Sequence, residues 1–241
     1  MVVTMVLMIS LTAVLQQSAG QHPDFASLST RHSDQREEII DTHNDFRKNV
    51  NPQARNMLKM EWDSTAAKNA RRWARKCLFN HSQAYERTVN GKACGENLFM
   101  STVPTSWTEV TQAWGNEKNY FKYGYGSVTG DAVGHYTQVV WYRSFQIGCS
   151  VAHCPGSKYT YYSVCHYCPA GNIVGSVNTP YKTGRPCGDC PGNCEDRLCT
   201  NPCKHANVYS NCPDLAQSPG CNHLMVKDNC EASCRCPTEI K

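Results

Sequence analysis

Ten of the chain's sixteen cysteines fall between Cys187 and Cys236, a stretch of about fifty residues. The other six are spread from Cys77 to Cys168. A segment that dense in cysteine buries little apolar surface and must be held by cross-links. Residues 21–180 contain all five tryptophans and can build a conventional core. An even and abundant cysteine set excludes a reducing compartment unless the thiols hold metal. A zinc reading is open to Cys165-x2-Cys168 followed by Cys187-x2-Cys190, whose spacing is that of a zinc ribbon.

The first twenty residues decide between these readings. They carry no charged side chain, and Val2 to Leu15 is apolar apart from Thr4, Ser10 and Thr12. Ser18-Ala19-Gly20 follows, with small residues suited to signal peptidase. Residues 1–20 therefore read as a secretory signal removed after Gly20. Secretion makes disulfides the expected state of the thiols and the extracellular space the expected location. With 40% hydrophobic and 18% charged residues, general disorder is excluded. No interior apolar run approaches the roughly 18 residues of a membrane helix.

Charge follows the cysteine boundary. Residues 21–186 carry 19 Lys and Arg against 13 Asp and Glu, whereas residues 187–241 carry 5 against 7. Three helices are legible in the larger region. The first has Asp34 and Glu37 at capping-box spacing, then Ile39, Ile40, His43 and Phe46 on one stripe. The second starts at Asp63 or Ser64 and turns Ala66, Ala70, Trp73 and Cys77 inward. Its other side carries Lys68, Arg71, Arg72, Arg75 and Lys76. This is a face for anionic cell-surface glycans, or simply a solvated one. The third opens with Ser106 and Glu109 and aligns Trp107, Val110, Trp114, Glu117 and Phe121. From His135 to Tyr142 the period is two, which predicts a strand; further strands are expected at 146–153 and 159–166. Helices followed by antiparallel strands give an α+β class.

Candidate chemistry is concentrated in His81, Glu96, Glu117 and His135. Glu117 lies on the Trp114 stripe, so its carboxylate needs a partner. Two imidazoles and two carboxylates suit a divalent metal, acid–base work, or a hydrogen-bonded tetrad without a ligand. Asn80-His81-Ser82 is a glycosylation sequon, with Asn80 as acceptor. Six cysteines from Cys203 to Cys236 allow 15 pairings on spacing alone.

Gly134-His-Tyr-Thr-Gln-Val-Val-Trp-Tyr-Arg-Ser144 and Tyr162-Ser-Val-Cys-His-Tyr-Cys-Pro-Ala-Gly-Asn-Ile173 together resemble two signatures of a known superfamily. It contains the cysteine-rich secretory proteins, antigen-five allergens and plant pathogenesis-related proteins. Cys94-Gly-Glu-Asn97 and His43-Asn44 fit it as well. The ten-cysteine tail, with Cys199-Thr-Asn-Pro-Cys203, is similar to the cysteine-rich secretory proteins. The leader and the ending Thr238-Glu-Ile-Lys241 look most like reptile venom members.

This resemblance implies an α-β-α sandwich followed by a small disulfide-stapled helical module similar to sea-anemone potassium-channel toxins. The implied layout is a signal peptide at 1–20, an N-terminal extension at 21–36, and the sandwich domain at 37–180. A hinge at 181–202 and the cysteine-rich module at 203–236 complete it. The implied bridges of the sandwich are Cys77 with Cys154, Cys94 with Cys168, and Cys149 with Cys165. Those of the hinge are Cys187 with Cys194 and Cys190 with Cys199. Those of the module are Cys203 with Cys236, Cys212 with Cys230, and Cys221 with Cys234. The resemblance also implies a cleft in which His81 and His135 hold weak Zn2+ beside Glu96 and Glu117. No cofactor is required, no nucleophile is marked out, and no enzyme activity is expected.

The venom members are similar in impairing ion channels: ryanodine receptors, L-type calcium, potassium and cyclic-nucleotide-gated channels. The expected function is that of a secreted, monomeric neurotoxin with an ion channel as partner and no nucleic acid. Candidate channel contacts are Lys204, His205, Tyr209, His223, Leu224, Met225 and Lys227. Leu224, Met225 and Lys227 are expected in one eight-residue loop between Cys221 and Cys230, where Lys227 has no aromatic companion, which favours a calcium channel or ryanodine receptor over a plain potassium-pore plug. The alternatives are a reproductive-tract or immune secretory protein binding a protein or sterol, and a metal-dependent hydrolase.

Overall fold

The computed structural model describes residues 22–241, so the expected leader at 1–20 lies outside the described residues. The larger region runs α1 (Ser33–Lys48), β1 (Glu61–Trp62), α2 (Ser64–Ala74), β2 (Thr88–Val89), β3 (Lys92–Ala93) and β4 (Gly95–Ser101). It continues with α3 (Trp107–Gly115), β5 (Phe121–Lys122), β6 (Gly126–Ser127), α4 (Gly134–Val139), β7 (Gln146–His153) and β8 (Tyr161–Cys168). β9 (Cys194–Glu195) and β10 (Leu198–Cys199) form a small hairpin, followed by α5 (Cys212–Leu215), α6 (Leu224–Asn229) and α7 (Glu231–Arg235).

Four strands make the central sheet in the order β1-β7-β8-β4; β1 is parallel to β7 and the other pairs are antiparallel. Alternation along β7 and β8 sends Ile147, Cys149, Cys165 and Tyr167 to one face, where Ile39, Trp107, Val110 and Val139 cover them. Ala152, Tyr162 and Val164 occupy the other face with Leu98, under Ala70 and Trp73 of α2. Helices on both faces give the α-β-α sandwich. At Gly148 the α2 backbone rests directly on the sheet: a Cβ there would meet Ala67 N at 2.0 Å.

Three local expectations are corrected. The period-two run at 135–142 opens with the helix α4, not a strand. Tyr136, Thr137, Gln138, Val139, Val140 and Trp141 are all buried, so the alternation did not mark a wet and a dry face. The Glu117 carboxylate accepts from the N–H groups of His135 and Tyr136, satisfying two of the donors that a helix start leaves free. In α1 the Asp34–Glu37 capping box does not form. The chain turns helical at Ser33, after an extended His32, so Asp34 already sits inside the helix and accepts from Gln35 instead. Finally, Leu224, Met225 and Lys227 lie on the helix α6 rather than on a loop. α3 starts as read, with Ser106 and Glu109 closing a reciprocal capping box, but Glu117 falls just beyond it, in the 3-10 turn Asn116–Tyr120.

All sixteen sulfurs are paired. The bridges are Cys77–Cys154, Cys94–Cys168 and Cys149–Cys165 in the sandwich, Cys187–Cys194 and Cys190–Cys199 after it, and Cys203–Cys236, Cys212–Cys230 and Cys221–Cys234 in the module. These are the pairs the resemblance implies. With them, neither C-x2-C motif has a thiol to offer zinc.

Residues 181–202 are stitched to the sandwich. Leu198 is 1% exposed and packs into the main core beside Met57. Cys199 N–H donates to Met57 O, and Lys59 N–H donates to Cys199 O. Lys48 pairs with Asp196, Arg55 with Asp189, and Lys59 with Glu195. The N-terminal segment is also tied down: Trp107 Nε1–H donates to the carbonyl of Leu28, itself buried.

Candidate functional site

β4 is the outer strand of the sheet, and consecutive residues on it face opposite layers. Glu96 turns to the α2 layer. Its carboxylate accepts from His81 Nδ1 (2.7 Å), Ser82 N–H (2.9 Å), Ser82 Oγ (2.8 Å) and His166 Nε2 (2.9 Å). Burial opposes ionisation of this group, and the bonds from His166, His81 and Ser82 more than offset it. The carboxyl is therefore held well below the ordinary range. Asn97 turns the other way and donates to the carbonyl of His135 (3.1 Å) and to Tyr167 Oη (3.2 Å). The site thus wraps around the free edge of the sheet.

The second pair is built by α4. His135 is its second residue, and Nδ1 donates to Glu117 Oε1 at 2.6 Å. The ring stacks on Trp114, centroids 6.5 Å apart. Each carboxylate can only accept, so both histidines carry their proton on Nδ1. Each Nε2 is left without a hydrogen-bond partner among the described residues. This is the arrangement in which a carboxylate orients an imidazole for a metal. Donor atoms are not gathered in threes: among the described residues, only Cys187, Cys190 and Cys199 bring three metal-type atoms within 4.8 Å, and their sulfurs are bridged.

Two histidines that the sequence reading did not count among the site candidates join it here. His166 is fully buried across from Glu96 on β8, and its Nδ1 has no partner among the described residues. Alternation with Val164 marks it as inward-facing, but its pairing with Glu96 is a matter of register. His43 is the other: Nδ1–H donates to Ile39 O, so Nε2 accepts from Tyr167 Oη at 2.9 Å. Burial pulls the His43 pKa down to about 4.

The remaining candidates lie apart from this edge or at its rim. Asn80 is exposed, while its carbonyl accepts from Trp73 Nε1 and Tyr162 Oη. Lys204, His223 and Lys227 are exposed on the module. The main-chain carbonyl of Lys204 accepts from Lys92, which ties module to sandwich. His205 lies 3.3 Å from Glu231. Tyr209, Leu224 and Met225 are 46%, 75% and 39% exposed, and Val208 is 68% exposed. The segment at 208 is joined to α6, because Val208 N–H donates to Asn229 O.

The sandwich, the two histidine–glutamate pairs at its sheet edge and the bridged tail define a class of disulfide-built proteins. The profile described as the cysteine-rich secretory protein family matches residues 40–167, and the Crisp profile matches residues 187–241. The chain belongs to the cysteine-rich secretory protein family. Among solved structures, NaASP2 with Zn2+ is 30% identical, with TM-score 0.60, over 75% of this chain and 100% of that one. BmVAL-1 is 27% identical, TM-score 0.60, over 76% of this chain and 100% of that one. Schistosoma mansoni venom allergen-like protein 4, 22% identical over 66% of this chain and 100% of that one, is alike in fold, with TM-score 0.53.

Proposed function

We propose that this protein is a venom-type toxin that blocks an ion channel, with the cysteine-rich module making the contact. The observation that carries the reading is the exposed apolar set Val208, Tyr209, Leu224 and Met225 on a scaffold fixed by three bridges. Large side chains held rigidly in water lose little further freedom on binding, so their burial is expressed as affinity. Leu224 and Met225 each contribute up to about 1.5–3 kcal/mol when covered. An L-type calcium channel or a ryanodine receptor is the preferred target, since the contact is apolar and mixed in charge. The test is electrophysiology on a channel panel with the full mature chain. Leu224→Ala with Met225→Ala should weaken block more than Lys227→Ala does. Full block by the double variant removes the module from the contact.

Zinc at this edge would be held through Nε2 of His81 and Nε2 of His135, whose rings Glu96 and Glu117 keep in the required tautomer. When bound, zinc would supply a Lewis-acid charge at the sheet edge. Two protein ligands are fewer than the three of a usual catalytic zinc, which favours a binding role over hydrolysis. The relative NaASP2, whose crystal structure is described with Zn2+, supports the choice of ion. Titration calorimetry should show binding that weakens in acid, as ligation needs neutral imidazole. His81→Ala and His135→Ala should each abolish it; unchanged affinity in the double variant removes the site.

A further inference from the structure

The basic face of α2 divides into two halves. On one side Lys76 pairs with Glu86, and Arg72 donates to Asn69 Oδ1 at 2.8 Å and to the Glu86 carbonyl at 3.4 Å. Arg71 and Arg75 turn to the other side. There, with Arg31 from the N-terminal segment, they line a groove of about 390 Å³. Its remaining walls come from the N-terminal segment, Phe25 to Thr30, and from Ser150–His153 of β7. None of the three guanidinium groups has an acidic partner or a side-chain hydrogen bond among the described residues. Partial burial, then the charges of Arg31 and Arg75, pull the Arg71 pKa down, which places the three cations within each other's field.

The groove also has main-chain donors. β1 pairs β7 only at Gln146 and Ile147, so β7 is open beyond them. Asp63 N–H donates to Ile147 O and Thr30 Oγ1 donates to Cys149 O at 2.9 Å, so odd-numbered residues present their main-chain groups to this edge. Val151 N–H faces the groove by the same alternation, and no described backbone group pairs with it. Three uncompensated cations around a cavity repel one another, and an anion between them relieves that repulsion. Guanidinium forks and a free N–H are the donors that recognise tetrahedral oxyanions. The volume exceeds that of a lone oxyanion and lies in the range of small-ligand sites.

We infer that the groove between α2, β7 and the N-terminal segment binds a phosphate or sulfate ester carried on a sugar-sized body. The site is independent of the zinc cleft and of the channel contact. It replaces a general basic face with a local one, in which Lys68, Arg72 and Lys76 take no part.

The test is calorimetry on the full mature chain with two soluble probes, inositol trisphosphate and a sulfated heparin disaccharide. A third arm measures co-sedimentation with phosphatidylcholine vesicles doped with phosphatidylinositol bisphosphate. Arg71→Gln with Arg75→Gln should weaken single-site binding at least about tenfold. Lys68→Gln with Arg72→Gln, which removes the same charge from the same helix, should change it less than about twofold. Binding of the soluble esters assigns a glycan or free ester, and binding of vesicles alone assigns a lipid headgroup; either supports the groove. Equal loss in the two double variants, or no saturable binding of any probe, overturns it. Unchanged far-ultraviolet circular dichroism certifies that each variant is folded.

Discussion

Arg47 is fully buried and, among the described residues, pairs with no carboxylate. Its five hydrogen bonds go to the carbonyls of Leu58, Val139, Trp141 and Tyr142. One side chain thus fastens α1 to the end of α4 and to the segment before β1. Removing it strands the carbonyls of Leu58 and Val139, while Tyr142 O and Trp141 O keep the N–H groups of Leu58 and Ser144, so Arg47→Ala should lower the unfolding free energy by at least about 3 kcal/mol. Arg36→Ala on the same helix should stay within about 0.5 kcal/mol, both read from urea midpoints. His43 gives a pH signature. Native His43 stays neutral down to about 4, whereas the unfolded chain protonates it near 6.5. Its share of stability is therefore complete above about pH 6.5 and is lost as pH falls toward 4, roughly 3 kcal/mol for one proton. His43→Gln should flatten that limb. Glu96 acts lower: its depressed pKa adds stability above the ordinary carboxyl range, which disappears on further acidification. Urea midpoints measured between pH 7 and pH 2 separate the two windows, and an unchanged acid limb in His43→Gln would refute the assignment to His43.

Elements differ in how far their sequence declares them. β7 matches its expected span, and β8 starts two residues later than read, because their alternating residues meet two packed helical layers. α3 declares itself through a capping box that forms. α4 does not, since its decisive contact is the carboxylate of Glu117, eighteen residues from His135, and burial on every side erases the helical stripe. The cleft was legible as residue types, His81, Glu96, Glu117 and His135, but its division into two pairs around an edge strand was not. That division depends on the β4–β8 register and on which face Glu96 takes. Glu117→Ala should cost about 1–2 kcal/mol through the lost cap. It should also release the fixed tautomer of His135, visible in nitrogen-15 imidazole spectra; a retained tautomer would mean that Glu117 does not orient the ring.

At the scale of the whole molecule, the bridges divide the labour. Three cross-link a sandwich that already has an apolar core, and five fix a tail with little core of its own. Their number was readable from the cysteine count, whereas their partners came from resemblance. Alkylating the unreduced, denatured protein should therefore label no cysteine; stoichiometric labelling of Cys187 and Cys190 would contradict the pairing. Mild reduction should disorder the module before the sandwich, followed by hydrogen exchange, because Cys203–Cys236 encloses a segment with few buried apolar residues besides Val226 and Ala232.

The stitched segment at 181–202 has one more consequence. With Leu198 in the core and Cys199 bonded to both Met57 and Lys59, the connector behaves as a ruler rather than a tether. The separation between the module's apolar face and the arginine groove is then set before any partner arrives. Two weak contacts on one cell surface would reinforce each other only where their spacing matches that fixed length. Elsewhere the same rigidity would forbid double engagement, so avidity itself becomes a filter for the right membrane.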